Sequence, residues 1–238
     1  WRPARAGRKL VVAGCMVSRY ASDLAEAMPE ADAFLPVADE RSVLRVLESL
    51  LETPAEGVPG PSRTAGAATA YLKVSEGCDR RCAYCTIPAI RGAFVSDTME
   101  RVLDEASLLI AGGARELVLV GQDIASYGTD LASGEDLPAL VQRLDALEGD
   151  FRIRLMYLQP DGVTDRLLSV IAESRRVCRY LDIPLQHASA TVLEAMGRTG
   201  SPERHLALLQ RIRAALPDVV LRTTVMAGFP GETDADIE

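Results

Sequence analysis

From Tyr71 onward, short apolar segments alternate with amphipathic ones, and this alternation constrains the fold more than any other feature of the chain. The apolar runs predict strands at 71–75, 116–120, 152–157, 180–183 and 219–225. The helical spacing of apolar residues predicts helices at 97–111, 137–147, 164–173, 191–196 and 202–215. Repeated β–α units with apolar strands predict a parallel sheet covered by helices. Five units without closure predict an α/β fold that forms most of a barrel, with functional groups at the carboxyl ends of its strands.

The helix at 97–111 has clear start and stop signals. Asp97 and Glu100 have the spacing of a capping box, so Asp97 is the predicted first cap. Gly112 and Gly113 follow the last apolar turn and predict its end. The helix is therefore expected to span the connection between the first two strands of the sheet.

The first part of the chain has a different organisation. Residues 9–13 predict a buried strand, and helices are predicted around 22–28 and over 40–52. Residues 53–69 are rich in Pro, Gly, Ala and Ser and predict a linker. The chain starts with Trp1 rather than Met and stops at Glu238 within a predicted helix start, so we expect it to be a fragment of a longer protein.

Charge and hydropathy restrict the partners and the location. Lys and Arg number 26 and Asp and Glu number 34, which gives a formal charge of −8. Because binding to nucleic acid through phosphates needs clustered cations, this balance argues against direct nucleic-acid binding by the chain and favours a basic protein partner. Neither a membrane-spanning apolar run nor a signal-peptide pattern is present in the sequence, which predicts a cytoplasmic location.

Three of the five cysteines, Cys78, Cys82 and Cys85, lie within eight residues of one another, directly after the first strand of the repeat. Such a cluster is a poor disulfide framework and is typical of a metal site. Three thiolates can hold a cube of four irons and leave one iron open for a substrate or cofactor. The alternative is a structural zinc site, which usually takes four ligands, and the sequence shows no nearby fourth Cys or His.

The spacing C-x-x-x-C-x-aromatic-C of this loop resembles the signature of the radical S-adenosylmethionine (SAM) superfamily. The resemblance implies a 4Fe–4S cluster on Cys78, Cys82 and Cys85, with SAM bound to the open iron. It further implies that an electron from the cluster cleaves SAM to a radical that abstracts a hydrogen atom from carbon. Tyr84 would contact the adenosyl part of SAM or, alternatively, pack beneath the loop.

Two further segments, 75–92 and 225–233, resemble the methylthiotransferase family within that superfamily. The resemblance implies an incomplete, partial TIM barrel of the radical SAM type over 70–238, truncated before its last strand. It would be preceded by the linker and by the end of an α/β N-terminal methylthiotransferase domain over 1–52. Gly228 would allow close backbone approach to the cofactor.

The segment Val11–Met16 resembles the third cysteine motif of the N-terminal domain in that family. Cys15 would then be one ligand of a second 4Fe–4S cluster, whose other two ligands would lie upstream. The expected result is a chain that cleaves SAM but does not insert sulfur by itself. Cys178 matches no motif and is predicted to be structural.

Three segments, 121–128, 157–160 and 180–189, resemble the branch of the family that modifies an aspartate β-carbon in small-subunit ribosomal protein twelve. The implied partners are that ribosomal protein and a reductant such as flavodoxin or ferredoxin. The first alternative is an enzyme that methylthiolates an adenosine in transfer RNA. An alternative of another class is a non-catalytic module in which the cysteine loop binds a structural metal.

Polar residues near the strand ends are further candidates. Gln122, Gln186 with His187, and Arg222 would contact SAM or, for Arg222, the substrate aspartate. Each could instead satisfy buried backbone groups. His205, in a charged helix, is predicted to be solvated. Arg80 and Arg81 would either tune the charge beside the cluster or lie in a plain exposed loop, and the exposed loop is the prediction.

Overall fold

The computed structural model describes residues 8–37, 42–52 and 67–237. The chain divides into two compact units, of which the first contains described residues 8–37, 42–52 and 86–92 and the second contains 67–85 and 93–237. Residues 53–66 of the predicted linker and the first two residues of the helix predicted at 40–52 lie outside the described residues. The predicted domain bounds remain a prediction.

The first unit contains a parallel pair of short strands, β1 (Val11–Ala13) and β2 (Ala33–Leu35). Helix α1 (Cys15–Ala27) connects them, so the three elements form a β–α–β crossover. Its first residue comes seven positions before the helix start predicted from the sequence. Helices α2 (Val43–Leu51) and α3 (Ile87–Arg91) complete this unit among the described residues.

In the second unit, strands β3 (Thr69–Lys73), β6 (Glu116–Val120), β7 (Arg152–Leu155), β8 (Val177–Asp182) and β9 (Val220–Arg222) form one sheet. They are hydrogen-bonded in that order, and every neighbouring pair is parallel. The predicted parallel α/β sheet is therefore confirmed. A separate antiparallel pair, β4 (Ser75–Glu76) and β5 (Val95–Ser96), brackets the cysteine loop and was not predicted.

A row of leucines sets the register of this sheet. Leu72 of β3 pairs with Leu119 of β6, which pairs with Leu155 of β7, which pairs with Leu181 of β8. All four side chains are fully buried. Burying a leucine stabilises the fold by about 1.5–3 kcal/mol, whereas a shift of one residue would turn the whole row to the other face. The row therefore fixes which residues reach the carboxyl edge of the sheet.

The helices of the second unit are α4 (Met99–Ala111), α5 (Leu137–Asp145), α6 (Asp165–Glu173), α7 (Ala190–Ala195), α8 (Pro202–Ala215) and α9 (Asp234–Ile237). The start predicted for α4 was wrong, because the cap is Thr98 and not Asp97. Thr98 has an extended backbone and its hydroxyl accepts a hydrogen bond from the N–H of Arg101. The end at Gly112 is confirmed, and Gly113 follows with a φ of 98°.

Among the described residues, no helix combines the length and the apolar character needed to cross a membrane.

Candidate cysteine-loop site

The three clustered cysteines follow β4 at the carboxyl edge of the sheet, as the sequence predicts. Cys78 is buried, and its sulfur accepts a hydrogen bond of 3.4 Å from the N–H of Arg80. Cys82 and Cys85 are half-buried and share a turn, because the Cys85 N–H donates to the Cys82 carbonyl. Burial raises the pKa of the Cys78 thiol, so a positive group or a metal ion is needed to favour its thiolate.

No three His, Cys, Asp or Glu side chains of the described residues lie close enough to hold one metal ion. The structural zinc alternative therefore gains no support from them. An iron–sulfur cube spreads three cysteine ligands over three different irons, so its ligands are further apart than those of a single ion. The soft donor set of Cys78, Cys82 and Cys85 suits such a cluster.

Arg80 anchors the loop, and the prediction that it is an exposed loop residue was wrong. Its Nε donates to Asp123 Oδ2 at 2.7 Å, and its two terminal nitrogens form a fork on Asp161 at 3.0 and 2.8 Å. Asp123 follows β6 and Asp161 follows β7, so one guanidinium joins the loop to two other strand ends. These carboxylates raise the pKa of Arg80 against the effect of burial. Arg81, by contrast, is exposed as expected.

A second anchor, Arg198, was not identified from the sequence. It lies after α7, and its Nη2 donates to Gln159 Oε1 at 2.8 Å and to the Pro184 carbonyl at 2.9 Å. Its Nη1 lies 3.4 Å from the hydroxyl of Tyr84 and 3.9 Å from the sulfur of Cys82. Burial raises the pKa of Tyr84, which keeps its phenol neutral beside the cation.

Gln122 lies one residue past the glycine that follows β6. Its Oε1 is buried and has no hydrogen-bond partner among the described residues, and the same holds for the hydroxyl of Ser75. A Cβ added at Gly121 would come within 2.4 Å of that hydroxyl, so the glycine allows this close approach. Unsatisfied buried oxygens cost free energy unless a ligand satisfies them. Gln122 and Ser75 therefore offer acceptors to a ligand at this edge.

Gln186 lies past β8 in a left-handed conformation, with a φ of 73°. Its N–H donates to the carbonyl of Thr224 and its own carbonyl accepts from the N–H of Met226, so a parallel bridge holds it in place. Tyr157, past β7, has a similar φ of 60°. Such conformations cost about 1–3 kcal/mol for a non-glycine residue and cluster at functional sites.

His187 is buried and joins the end of β8 to the segment after β9. Its Nδ1 accepts a hydrogen bond from the N–H of Ser189 at 2.9 Å, so the neutral ring carries its proton on Nε2. Nε2 faces Glu232 Oε2 at 3.7 Å, and that oxygen also accepts from the N–H of Phe229. Gly228, just before Phe229, has a φ of 80° and open space where a Cβ would lie.

Arg222 lies at the end of β9 and forms an ion pair of 3.0 Å with Asp182 of β8. The Asp182 side chain is almost fully buried and the Arg222 side chain is half-exposed. Asp182 raises the pKa of Arg222 and was not identified as its partner from the sequence. Asp182 Oδ1 has no hydrogen-bond partner among the described residues, so the pair can accept one more donor.

Two further sequence predictions concern His205 and Cys178. The prediction that His205 is solvated was wrong, since it is buried in α8 and only 7% exposed. Burial, and then the charge of Arg198, lower the pKa of His205, which favours its neutral form. Cys178 is half-buried in β8, and burial raises the pKa of its thiol.

Cys15 belongs to the first unit. It is exposed at the first residue of α1, directly after Gly14, which has a φ of 115°. This placement leaves its sulfur accessible to a ligand.

An open cleft of about 160 Å³ lies beside the cysteine loop. Cys82, Gln159, Asp161 and Arg198 are among its lining residues. The second thiol of the loop is therefore reachable from the surface of this unit.

The model of the Radical SAM superfamily matches residues 72–238, which include the cysteine loop, the last two residues of β3 and the other four strands of the parallel sheet. The chain is 42% identical over 241 residues to the ribosomal protein uS12 methylthiotransferase RimO of Geobacter sulfurreducens, covering 96% of this chain and 54% of that protein. It is 41% identical over 242 residues to the protein of the same name from Thermotoga maritima, covering 98% of this chain and 55% of that protein. The chain thus spans about half the length of the curated relatives it matches.

Solved structures resemble the chain at low sequence identity. The radical SAM methyltransferase TsrM from Kitasatospora setae, solved with cobalamin and a [4Fe-4S] cluster, superposes with a TM-score of 0.69 at 16% identity. That match covers 96% of this chain and 53% of TsrM. The cobalamin-dependent SAM radical enzyme OxsB gives a TM-score of 0.67 at 15% identity, over 91% of this chain and 36% of OxsB. These similarities show a shared fold.

Proposed function

The chain belongs to the radical SAM superfamily, and from this we propose that it is part of a methylthiotransferase that modifies an aspartate β-carbon of ribosomal protein uS12. The observation that carries the proposal is the cysteine loop, whose three thiols lie at the carboxyl edge of a radical SAM sheet. The choice of substrate is supported by about 40% identity to proteins named uS12 methylthiotransferases over nearly the whole chain.

Cys78, Cys82 and Cys85 would hold a 4Fe–4S cluster, and Cys15 would be one ligand of the second cluster of the longer protein. When bound, the cluster and SAM supply the one-electron chemistry that breaks an unactivated carbon–hydrogen bond. Arg80 and Arg198 keep the loop at the strand ends. The chain itself contributes ligation, orientation and exclusion of water.

Polar groups at the strand ends would orient SAM. Gln122 Oε1, which has no hydrogen-bond partner within the described part of the chain, can accept from the amino group of SAM. The strained backbone at Gln186 would fix the direction of the Gln186 side chain. Gly228 leaves room for the backbone to approach the cofactor. Tyr84 would stack near the adenosyl part. Arg222 would bind a carboxylate only in addition to Asp182, with which it is already paired.

The proposed setting is the cytoplasm, with a ribosomal protein as substrate and flavodoxin or ferredoxin as reductant. Direct binding to nucleic acid is not expected, because the chain has a charge of −8. Because Cys15 has no further cysteine near it in the sequence, we expect the 238-residue chain to cleave SAM without inserting sulfur.

The cluster is tested by anaerobic reconstitution with iron and sulfide, followed by electron paramagnetic resonance of the reduced protein with and without SAM. We expect a cubane signal that changes on addition of SAM and is absent in Cys82→Ala. Cys178→Ala is the matched control, because Cys178 lies in β8 outside the loop, and it should keep the signal. A protein that takes up zinc but no cluster would refute the proposal.

The substrate is tested with the full-length protein on uS12 and on transfer RNA in parallel reactions. Mass spectrometry should show a methylthio addition on uS12 alone. An addition on the RNA and none on uS12 would assign the enzyme to the other branch.

A further inference from the structure

The segment that carries Arg198 lies directly on the cysteine loop. The N–H of Ala83 donates to the carbonyl of Met196 at 2.9 Å. Gly197 has a φ of 68°, and a Cβ there would come within 2.8 Å of the Arg81 carbonyl. The backbone of this segment therefore approaches the loop as closely as glycine allows.

The contacts of Arg198 direct its charge toward the second cysteine. Both of its short hydrogen bonds go to neutral oxygens, those of Gln159 and Pro184, so neither cancels the charge. Its other terminal nitrogen lies 3.9 Å from the Cys82 sulfur and 3.4 Å from the Tyr84 hydroxyl. The guanidinium is partly buried, where the interaction between charges is stronger than in water.

Arg80 belongs to the loop itself, but its charge is balanced by carboxylates. Its guanidinium is paired with two carboxylates, Asp123 and Asp161. A cation that is neutralised in this way has little net field at a cysteine. Arg198 therefore combines closeness to a cysteine sulfur with hydrogen bonds to neutral oxygens only. The nearest carboxylate effect on it is from Asp161, whose pKa Arg198 helps to lower but with which it forms no ion pair among the described residues.

We propose that Arg198 is a positioning residue that holds a positive charge against Cys82 and thereby raises the reduction potential of the cluster. The inference rests on the proposed function, since it requires the cluster on Cys78, Cys82 and Cys85. Reduction transfers one electron from a one-electron reductant to the cluster and makes its charge one unit more negative. A nearby cation stabilises the reduced form more than the oxidised form, and hydrogen bonds to cluster sulfurs act in the same direction.

The test is a redox titration of the reconstituted protein with dithionite as the reductant, in the absence of SAM, followed by electron paramagnetic resonance. At the solution potential where the parent cluster is half reduced, we expect Arg198→Gln to lower the ratio of reduced to oxidised cluster about tenfold. For one electron this corresponds to a reduction potential about 59 mV lower than that of the parent. Arg198→Lys keeps a charge but loses the planar fork, so the ratio of reduced to oxidised cluster should also fall, by less than in Arg198→Gln.

Arg211→Gln is the matched control. Arg211 also donates to a backbone carbonyl, that of Val163, and pairs with Asp165, but it contacts no cysteine of the loop. The ratio of reduced to oxidised cluster in Arg211→Gln should equal that of the parent. Iron content and circular dichroism of each variant show whether the fold and the cluster are intact.

The outcomes separate the inference from the proposed function. If the parent takes up no cluster, the proposed function fails and the inference fails with it. If the parent and Arg198→Gln both carry a full cluster with the same ratio, the inference alone is overturned. If Arg198→Gln takes up no cluster while the parent does, Arg198 is needed for assembly of the site rather than for its potential, and the inference is overturned.

Discussion

Arg80 donates its Nε hydrogen to Oδ2 of Asp123 across 2.7 Å, although 43 residues separate the two in the chain. The contact joins the first turn of the cysteine loop to the segment that follows β6. The Asp123 side chain is only 3% exposed, whereas Asp161, the other partner of Arg80, is 52% exposed. Loss of the Asp123 pair should therefore lower the free energy of unfolding by more than loss of the Asp161 pair.

Replacing Arg80 by Gln should destabilise the metal-free protein by about 3 kcal/mol, because it leaves the buried charge of Asp123 without its cation. Asp161→Asn should cost less than about 1 kcal/mol, since the carboxylate removed is half-exposed and Arg80 keeps its ion pair with Asp123. Urea unfolding of both variants measures the two free energies. Equal losses would show that the burial of Asp123 does not set the strength of the anchor.

The left-handed glycine at 197 provides a second prediction. Gly197→Ala places a Cβ 2.8 Å from the Arg81 carbonyl, so the segment and the cysteine loop must separate. Gly134 is the matched control, because its φ of 70° is nearly the same but a Cβ there meets nothing within 4 Å. Gly134→Ala should cost about 1–2 kcal/mol from the backbone alone.

Gly197→Ala should lose more stability than Gly134→Ala and should also take up less iron on reconstitution. Thermal unfolding and iron content are the two measurements. If the two alanine variants behave alike in both, the close approach of the segment to the loop has no influence on the site.

The fold could be predicted from the sequence wherever burial produces a periodic pattern. The five parallel strands contain apolar runs such as Leu117–Leu119, which point to a sheet covered on both faces. The strands β2 and β5 have three and two residues, too few for any periodic signal. Their existence depends on partners that are distant in the sequence.

The site could be predicted only in part, because its anchors are tertiary contacts. The three cysteines are neighbours in the sequence, whereas Arg198 lies 116 residues after Cys82. No local pattern connects those two residues. The burial of His205 did have a signal, since His205, Leu208 and Ile212 have the spacing of one helix face and all three are buried.

Tyr127 gives a prediction about alkaline pH. Its side chain is 1% exposed, and its hydroxyl has no hydrogen-bond partner among the described residues. Burial, and then the charge of Glu135, raise the pKa of Tyr127 to about 12 from the ordinary 10.0. Because the pKa is higher in the folded than in the unfolded protein, the neutral phenol contributes to the free energy of unfolding. That contribution is complete below pH 10 and is lost as the pH rises through about 12.

Tyr127→Phe should therefore change the free energy of unfolding by less than about 1 kcal/mol at pH 7, because the substitution removes no hydrogen bond to any described residue. Between pH 10 and 12 the parent should lose of order 2 kcal/mol more than the variant. Urea unfolding at several pH values measures both quantities. Parallel pH profiles of parent and variant would mean that the phenol ionises at its ordinary pKa in the folded protein.

Asp236 gives a prediction about acidic pH, because its pKa is lowered rather than raised. The hydroxyl of Ser189 donates to its Oδ1 at 2.6 Å, and Thr233 donates to its other oxygen. These hydrogen bonds lower the pKa of Asp236 to about 2 from the ordinary 3.8. A lowered pKa gives stability that is present above the ordinary value and is lost as the pH falls through about 2. The contact thus joins α9 to the start of α7 throughout the neutral range.

Carboxyl carbon chemical shifts should therefore show Asp236 still ionised at pH 3 in the parent. Ser189→Ala removes the first hydrogen bond, so the midpoint should rise toward 3.8. Ser201→Ala is the control, because Ser201 also caps a helix but its hydroxyl contacts Glu203 instead. A midpoint near 4 in the parent, or the same rise in both variants, would show that Ser189 does not hold Asp236.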